Sequence, residues 1–389
     1  MITLEADTST PGRLRSVDVF RGATMVAMIL VNNPGDPGTT YWPLQHARWH
    51  GWTPTDLVFP LFLFIVGVAI VLALKRRVDA GAAVGPLHVK IIRRSLILFG
   101  LGLFLSGFPF GLFGPRSFSE LLEVWRIPGV LQRIAVCYLV ASAIFLSTTI
   151  RGQAIWAVTF LVVYWLALML IPVPGYGAGV FQPEGNLAWF IDSNLLHGHT
   201  WVWAPAPGFD PEGILSTLPA IATTLFGILT GHWLRTGRPV AEKISWMFTV
   251  GLGMVALGWF LSIWLPINKN LWTSSYSLFM GGWALAGFSI CYWLIDVNGY
   301  KRWATPFVIF GMNAIAVYVA ADFIAILLGL IQVTGPEGTP ISLQEHIFRS
   351  VFVSIASPYN ASLLYAFAFV LITFLIAWAL WRKRWFVKI

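Results

Sequence analysis

The residue types and spacing best suited to chemistry in this sequence are those of His46, His50 and Asp56, within the stretch YWPLQHARWHGWTPTDLVFPLFLFIVGV over 41–68. An imidazole titrates near neutrality and can accept a proton, and a nearby carboxylate can fix its tautomer. The apolar run after Asp56 is typical of a membrane span, where ionisable groups are costly and often functional. Structural roles stay open, since Asp56 could cap the first turn of a helix and either histidine could be an ordinary interfacial residue.

Polar side chains also fall inside the first apolar run. Asp18 and Arg21 are three residues apart, so they share a helix face, and this spacing favours a structural ion pair. Asn32 comes shortly before Pro34, where an amide is ordinary turn chemistry. The same amide could instead orient a substrate at the membrane boundary.

Gln132 and Arg133 lie inside a later apolar run. A buried arginine needs a counter-charge or an anionic ligand. One hypothesis is an internal ion pair with a carboxylate such as Asp18 or Asp322, and the other is contact with a bound phosphate group. We favour the ion pair, because phosphates are held more easily near a membrane surface than in hydrocarbon.

Composition excludes an ordinary soluble domain. The 389 residues are 57% hydrophobic and 11% charged, with a mean hydropathy of +0.74, whereas a soluble domain is about 25% charged. The net charge of +8 lies in short clusters between apolar runs, which indicates membrane orientation and not nucleic-acid binding. Cys137 and Cys291 have no neighbour at metal-ligand or redox spacing, so we predict no metal site.

The apolar runs predict an all-α polytopic membrane protein with about ten transmembrane helices of about 20 residues each. The runs lie near 17–34, 54–74, 95–113, 128–149, 153–173, 213–234, 245–265, 271–295, 305–332 and 361–381. Lys and Arg concentrate in alternate connections and in both terminal segments, so the positive-inside rule predicts cytoplasmic N and C termini. We expect one transmembrane domain over 1–389, capped on its outer face by aromatic, Gly- and Pro-rich loops at 35–53, 114–127, 174–212 and 333–360.

Several short blocks that follow one another across nearly the whole chain resemble the heparan-alpha-glucosaminide N-acetyltransferase family of transmembrane acyltransferases. They are RLRSVDVFRG (13–22), VN (31–32), HARWHGWT (46–53), DLVFP (56–60), RIPGVLQR (126–133), DPEG (210–213), NKNLW (268–272) and GMN (311–313). Any one block is weak evidence for the family, but all eight blocks in the family's order are strong evidence for it. The resemblance is to a bacterial type of member without the lumenal domain, which implies a bacterial inner membrane.

The resemblance implies that acetyl is taken from cytoplasmic acetyl-CoA and placed on the amine of a glucosamine or glucosamine-containing glycan beyond the lipid bilayer. The family's active-site histidine matches His46, and its neighbouring Asn and Asp match Asn32 and Asp56. His46 would then act as a general base or carry the acetyl group covalently, and the residues do not separate these mechanisms. The family also implies a homodimer.

Two further groups of residues are candidates for binding. Three cations near the inner face, Lys90, Arg93 and Arg94, would hold the phosphates of acetyl-CoA. Together with Gln132 and Arg133 of the fourth predicted span, they are called the donor group below. Aromatic and polar residues of the matching blocks form the acceptor group: Trp49, His50, Asp210, Glu212 and Asn313.

A proton-coupled transporter of amino sugars or peptidoglycan fragments is the alternative, with His46 and Asp56 as a proton relay. The lack of an internal repeat disfavours the common transporter architectures. A non-catalytic membrane scaffold is a third hypothesis. Dependence on acetyl-CoA separates them, because a transporter needs a sealed compartment and a gradient, whereas a transferase works in detergent.

Overall fold

The computed structural model describes residues 14–112, 117–335 and 338–387, which fold mainly as helices. The helices are α1 (Arg15–Asn32), α2 (Val58–Asp79), α3 (Val84–Gly107), α4 (Phe118–Val124), α5 (Val130–Ser147), α6 (Ile150–Leu170), α7 (Leu187–Leu195), α8 (Thr217–Leu234), α9 (Val240–Leu261), α10 (Ser274–Tyr292), α11 (Thr305–Met312), α12 (Ala314–Leu330), α13 (Leu343–Ile347) and α14 (Pro358–Arg382). Two short strands, β1 (Gln332–Thr334) and β2 (Pro340–Ser342), pair antiparallel with Val333 opposite Ile341.

Six helices in the described ranges are long and apolar enough to cross a membrane: Pro54–Asp79, Val130–Ser147, Ile150–Leu170, Val240–Leu261, Ser274–Val297 and Pro358–Arg382. A seventh span results if α11 and α12, which bend by 83° at their junction, count as one. The prediction of about ten spans is therefore not confirmed. The other three predicted segments correspond to the helices α1, α3 and α8. Charged residues interrupt two of them: Arg15, Asp18 and Arg21 in α1, and Lys90, Arg93 and Arg94 in α3.

Helices α2 and α8 pack backbone against backbone through Gly67 and Gly227. A Cβ on Gly67 would lie 2.0 Å from the Thr224 carbonyl oxygen, and one on Gly227 would lie 1.9 Å from the Phe64 carbonyl oxygen. Small residues allow such close approach between helices in a membrane. This contact fixes α2, and the turn just before α2 carries Asp56.

A second close contact joins α1 to α11. A Cβ on Gly311 would lie 2.0 Å from the Asp18 carbonyl oxygen. Arg21 donates from Nε to the Gly311 carbonyl oxygen at 2.7 Å and pairs with the Asp18 carboxylate at 2.8 Å. The predicted ion pair on one face of the first helix is thus confirmed.

The two ends of the bundle differ in chemistry. One end, called the loop end below, carries loops 35–53 and 174–212, which are joined by a hydrogen bond from Trp49 Nε1 to the Phe181 carbonyl oxygen at 2.7 Å. The opposite end, called the basic end, carries the end of α2 and the start of α3 with Arg77, Lys90, Arg93 and Arg94. Of the other two predicted caps, 114–127 contains α4 and 333–360 contains the hairpin and α13, and residues 114–116 and 336–337 lie outside the described ranges.

Candidate active site

A short turn brings His46 and Asp56 together at the loop end. Thr53 precedes a 3-10 turn that begins at Pro54, and the Asp56 carboxylate accepts from the Thr53 backbone N–H at 2.9 Å, as in a capping box. Its Oδ2 also accepts from the Ala47 N–H at 3.1 Å, and its Oδ1 lies 2.7 Å from His46 Nδ1. Asp56 therefore combines both interpretations that the sequence allowed, a helix cap and a partner of the histidine.

This pairing fixes the tautomer of His46. The Asp56 side chain is fully buried and takes the Nδ1–H, which leaves the Nε2 lone pair free on a ring that is 46% exposed. Loss of water around the ring and the Lys269 ammonium lower the pKa of His46, and the Asp56 carboxylate opposes them only in part. A neutral imidazole with a free Nε2 lone pair is what a general base requires.

Lys269 is a site residue that the sequence analysis does not single out. Its Nζ lies 3.0 Å from Nδ1 and 3.1 Å from Nε2 of His46, and 4.0 Å from Oδ1 of Asp56. The loop between α9 and α10 carries it, and a hydrogen bond of 2.8 Å from the Gly51 N–H to the Ile267 carbonyl oxygen joins that loop to the His46 loop. The available signal was a lysine in a connection otherwise poor in basic residues, within the NKNLW block.

His50 and Trp49, two residues of the predicted acceptor group, lie in the same loop layer. His50 Nδ1 is 3.3 Å from Nδ2 of Asn268. The Trp49 ring packs edge to face against Phe209, with 5.5 Å between the ring centroids. These contacts tie the His46 loop to the two loops that cover it.

Asp210 and Glu212, also in the predicted acceptor group, share one guanidinium. Arg126 binds Asp210 in a bidentate manner, at 2.9 Å from Nε and 2.8 Å from Nη2, and Nη2 also reaches Glu212 at 2.6 Å. The Asp210 side chain is fully buried, the Glu212 side chain is 11% exposed, and the Arg126 side chain is 24% exposed. Arg126 belongs to the matching RIPGVLQR block but is not singled out by sequence reasoning.

The charges of this cluster also act on His46 and Lys269. Burial alone would raise the pKa of Glu212, but the nearby cations Arg126, Arg133 and Lys269 outweigh it and lower that pKa. Glu212 in turn favours the protonated form of His46 and of Lys269. Lys269 and Glu212 therefore shift the pKa of His46 in opposite directions: Lys269 lowers it and Glu212 raises it.

Arg133 is buried, with 2% of its surface exposed. Its Nη2 donates to the Gly213 carbonyl oxygen at 3.2 Å and to Ser216 Oγ, and its guanidinium lies 5.2 Å from the Trp272 ring centroid. Its Nε and Nη1 are buried without an acceptor, and it forms no ion pair within the described part of the chain. The favoured hypothesis of an internal ion pair with Asp18 or Asp322 is therefore wrong for the residues described.

No contact in the described ranges brings Asn32 or Asn313 to His46. Asn32 is exposed at the end of α1. Asn313 is buried at the junction of α11 and α12, where its amide donates to the Trp385 carbonyl oxygen at 3.1 Å and accepts from the Val387 N–H at 3.0 Å. Asn313, predicted as an acceptor residue, thus lies with the C-terminal segment at the basic end.

A cavity of about 600 Å³ lies at the basic end between α1, α2, α3, α5 and α12. Its basic lining residues are Arg21, Arg77, Lys90, Arg93 and Arg94. The Arg94 guanidinium lies 4.7 Å from the Tyr138 ring centroid, and its Nε is buried without an acceptor among the residues that the structure describes. Three of the five predicted donor residues, Lys90, Arg93 and Arg94, therefore line one cavity.

The cavity runs along α2 toward the His46–Asp56 pair. Its lining extends from Phe62 to Arg77, a rise of about 22 Å along an α-helix. The chain from Asp56 to Phe62 rises about 9 Å more. Gln132 and Arg133 do not line the cavity but directly precede Ile134, which does. Within the described ranges, Gln132 Nε2 is buried without an acceptor. Unpaired donors thus lie between the cavity and the loop end.

The fold and the site define a polytopic helical membrane protein with an oriented histidine at one end and a long basic cavity at the other. A model of the family described as heparan-alpha-glucosaminide N-acetyltransferase, catalytic, matches residues 13–267. The human heparan-alpha-glucosaminide N-acetyltransferase is 33% identical over 360 residues, which cover 80% of this chain and 53% of the relative. The mouse protein of the same name is 30% identical over 433 aligned positions, which cover 99% of this chain and 62% of the relative.

The chain therefore belongs to the heparan-alpha-glucosaminide N-acetyltransferase family, as the sequence blocks predicted. It spans between half and two thirds of the length of the two relatives it matches. His46, Asp56, Arg126 and the Asp210–Glu212 pair all lie within the range of the family match, whereas Lys269 lies just beyond it.

Proposed function

We propose that this chain is a transmembrane N-acetyltransferase that moves the acetyl group of acetyl-CoA onto the amine of a glucosamine-type sugar. The observation that carries the proposal is the Asp56-oriented imidazole of His46, set next to a helix whose remaining length lines the basic cavity. A base at one end and a cationic cavity at the other suit an amine acceptor and a polyphosphorylated thioester donor. Membership of the family supports the same transfer.

The reaction needs an amine that loses a proton as it attacks the thioester. His46 Nε2 would take that proton, and Asp56 would stabilise the imidazolium through Nδ1–H. The C–N bond forms as the carbonyl carbon becomes tetrahedral, and collapse of this intermediate breaks the C–S bond. The CoA thiolate then takes the proton from Nε2, which returns the imidazole to its neutral form. Transfer through an acetyl-histidine is the alternative route.

The donor would lie in the cavity with its phosphates against Lys90, Arg93 and Arg94. Charge-assisted hydrogen bonds from guanidinium and ammonium groups are the usual protein contacts to phosphate. Gln132 and Arg133 would face the thioester end, because their unpaired N–H groups can donate to the amide or carbonyl oxygens of the donor.

Replacing Arg94 by glutamine is expected to weaken acetyl-CoA binding about 10- to 100-fold, since a hydrogen bond to a charged group contributes roughly 1.5–3 kcal/mol. Titration calorimetry with acetyl-CoA on detergent-solubilised protein measures the change. Arg151→Gln makes the same change of charge at an exposed position at the start of α6, outside the cavity lining, and should leave the affinity unchanged. Equal losses in both variants would exclude the cavity as the donor site.

The acceptor would approach from the loop end. Trp49 and His50 offer ring surfaces, and the Glu212 carboxylate, 11% exposed, offers an acceptor for a sugar hydroxyl. Asp210 is fully buried and would act only indirectly, by holding Arg126 in place. The basic end and both termini would face the cytoplasm, and the loop end the outside of a bacterial inner membrane, as the distribution of Lys and Arg predicts. We extend the proposal to a homodimer in the bilayer, on the basis of the family resemblance alone.

The function is tested with purified protein in detergent, glucosamine and isotope-labelled acetyl-CoA. A transferase forms labelled N-acetylglucosamine without any gradient. A transporter forms none in detergent and moves glucosamine only across sealed proteoliposomes that carry a proton gradient. Labelled product from acetyl-CoA trapped inside oriented vesicles, with glucosamine outside, would support the proposed orientation.

A further inference from the structure

A primary amine of the chain itself lies next to the catalytic histidine. Lys269 Nζ lies 3.0 Å from Nδ1 and 3.1 Å from Nε2 of His46, so it lies over the face of the imidazole, and its side chain is 19% exposed. Because Asp56 occupies Nδ1, Nε2 is the ring nitrogen that can accept a proton from Lys269. The amine of Lys269 thus lies beside the nitrogen to which an acceptor amine must give up its proton, and a rotation of its side chain would bring it in line with the Nε2 lone pair.

The surroundings of Lys269 favour its neutral form. Burial lowers the pKa of Lys269, the nearby Arg133 acts in the same direction, and the carboxylates of Asp56 and Glu212 oppose them without restoring the ordinary value. A lysine amine with a lowered pKa is a better nucleophile near neutral pH, because more of it is unprotonated. Lys269 therefore has both the position and the chemistry of an acceptor.

We infer that Lys269 is an internal acetyl acceptor, which the site acetylates on Nζ when the donor is bound and no amino sugar is present. The inference rests on the proposed acetyl transfer. The Nζ–C bond forms and the C–S bond of the donor breaks, while the proton lost by Nζ passes through His46 Nε2 to the CoA thiolate. The products are N-acetyllysine and free CoA, and no further reactant is needed.

The modification would change the site in two ways. It removes the cation that lies against His46, and it adds an acetamide in the space that an acceptor amine needs. A bound amino sugar would protect Lys269, because its amine would occupy the approach to the Nε2 lone pair that Lys269 needs in order to react. Prolonged exposure to the donor alone should therefore inactivate the protein progressively.

Lys243 is the matched control within the same chain. It is also buried, at 8% exposure, but its Nζ donates to the Leu234 carbonyl oxygen at 2.8 Å and has no histidine contact. Site-catalysed acetylation should spare Lys243, whereas direct chemical acetylation by the donor would act first on exposed lysines such as Lys301.

Mass spectrometry of peptides after incubation with isotope-labelled acetyl-CoA tests the inference. We expect labelled acetyl on Lys269 that glucosamine suppresses and that His46→Gln slows about 10²–10⁴-fold, the usual effect of losing a general base. Activity after preincubation with acetyl-CoA alone should fall with time in the wild type. In Lys269→Arg, which keeps a cation but has no acetylatable amine, activity should stay at that variant's own starting value.

The readouts separate this inference from the proposed function. Labelled glucosamine with unmodified Lys269 would overturn the inference and leave the function standing. Label on Lys269 that persists in His46→Gln, or that equals the label on Lys243, would mean chemical acetylation and would also overturn it. Absence of label on both glucosamine and Lys269 would overturn the inference and the function together. A monodisperse gel-filtration profile for His46→Gln, with Asp56→Asn as a second variant that should also slow labelling, guards against misfolding as the cause.

Discussion

Replacing His46 by alanine is expected to slow acetyl transfer about 10²–10⁴-fold, with the fold and acetyl-CoA binding retained. The reason is that His46 Nε2 is the free base of a ring fixed by Asp56, while the ring itself is half exposed and lines no part of the basic cavity. The rate of labelled N-acetylglucosamine formation, together with the apparent melting temperature with and without acetyl-CoA, measures all three properties.

The pH profile gives a second readout of the same residue. Protonation of His46 removes the base, so activity falls on the acid side as the pH passes the pKa of His46. Because that pKa lies below the ordinary value of 6.5, the acid limb should lie lower than for an unperturbed histidine. The residual activity of His46→Ala should lack this limb.

Variants at two other histidines show whether the loss of activity is specific to His46. His88→Ala removes a half-buried imidazole on α3, whose Nδ1 lies 3.1 Å from the Val84 carbonyl oxygen, and it should leave the rate unchanged. His50 lies in the same loop as His46 and contacts Asn268. If His46→Ala kept half or more of the wild-type activity while His50→Ala lost it, the general base would be His50 and not His46.

The sequence indicates His46 and Asp56 well because their partnership is local. Ten residues separate them, one turn closes the gap, and the resemblance points to both. Lys269 is different, since 223 residues separate it from His46, and no local spacing predicts that contact. The bidentate contact of Arg126 with Asp210 likewise joins positions 84 residues apart. A charge that is paired only through tertiary packing looks in sequence like any other loop charge.

The helices were predictable from their apolar runs, whereas the number of spans was not. The predicted segment 305–332 is broken at Asn313, whose amide binds the backbone of the C-terminal segment and so stabilises the bend between α11 and α12. Hydropathy shows only that both halves are apolar. In the same way, the role of Arg133 could not be predicted from its depth, because its partners are a carbonyl, a hydroxyl and an aromatic ring and not a carboxylate.

Replacing Arg126 by glutamine is expected to cost about 3–5 kcal/mol of unfolding free energy, the usual penalty for removing one partner of a buried ion pair. The change would leave the fully buried carboxylate of Asp210 without its bidentate partner and Glu212 without its shortest contact. Denaturant titration in mild detergent measures the loss. Arg238→Gln breaks a surface pair with Glu242, in which the Arg238 side chain is 58% exposed, and should cost only about 0.2–1 kcal/mol.

The pH dependence of the loss in unfolding free energy shows whether the charge of Arg126 or its packing causes that loss. In the wild type the pKa of Glu212 is lowered, so its contribution to stability is present above its unfolded pKa and disappears as the pH falls through the folded value. Without Arg126, burial favours the neutral acids more strongly, and the two carboxyl groups take up protons at a higher pH than in the wild type. The stability difference between Arg126→Gln and the wild type should therefore be largest near about pH 8 and should narrow toward about pH 5. A difference that stays constant over this range would mean that Arg126 stabilises the loop end through packing and not through its charge.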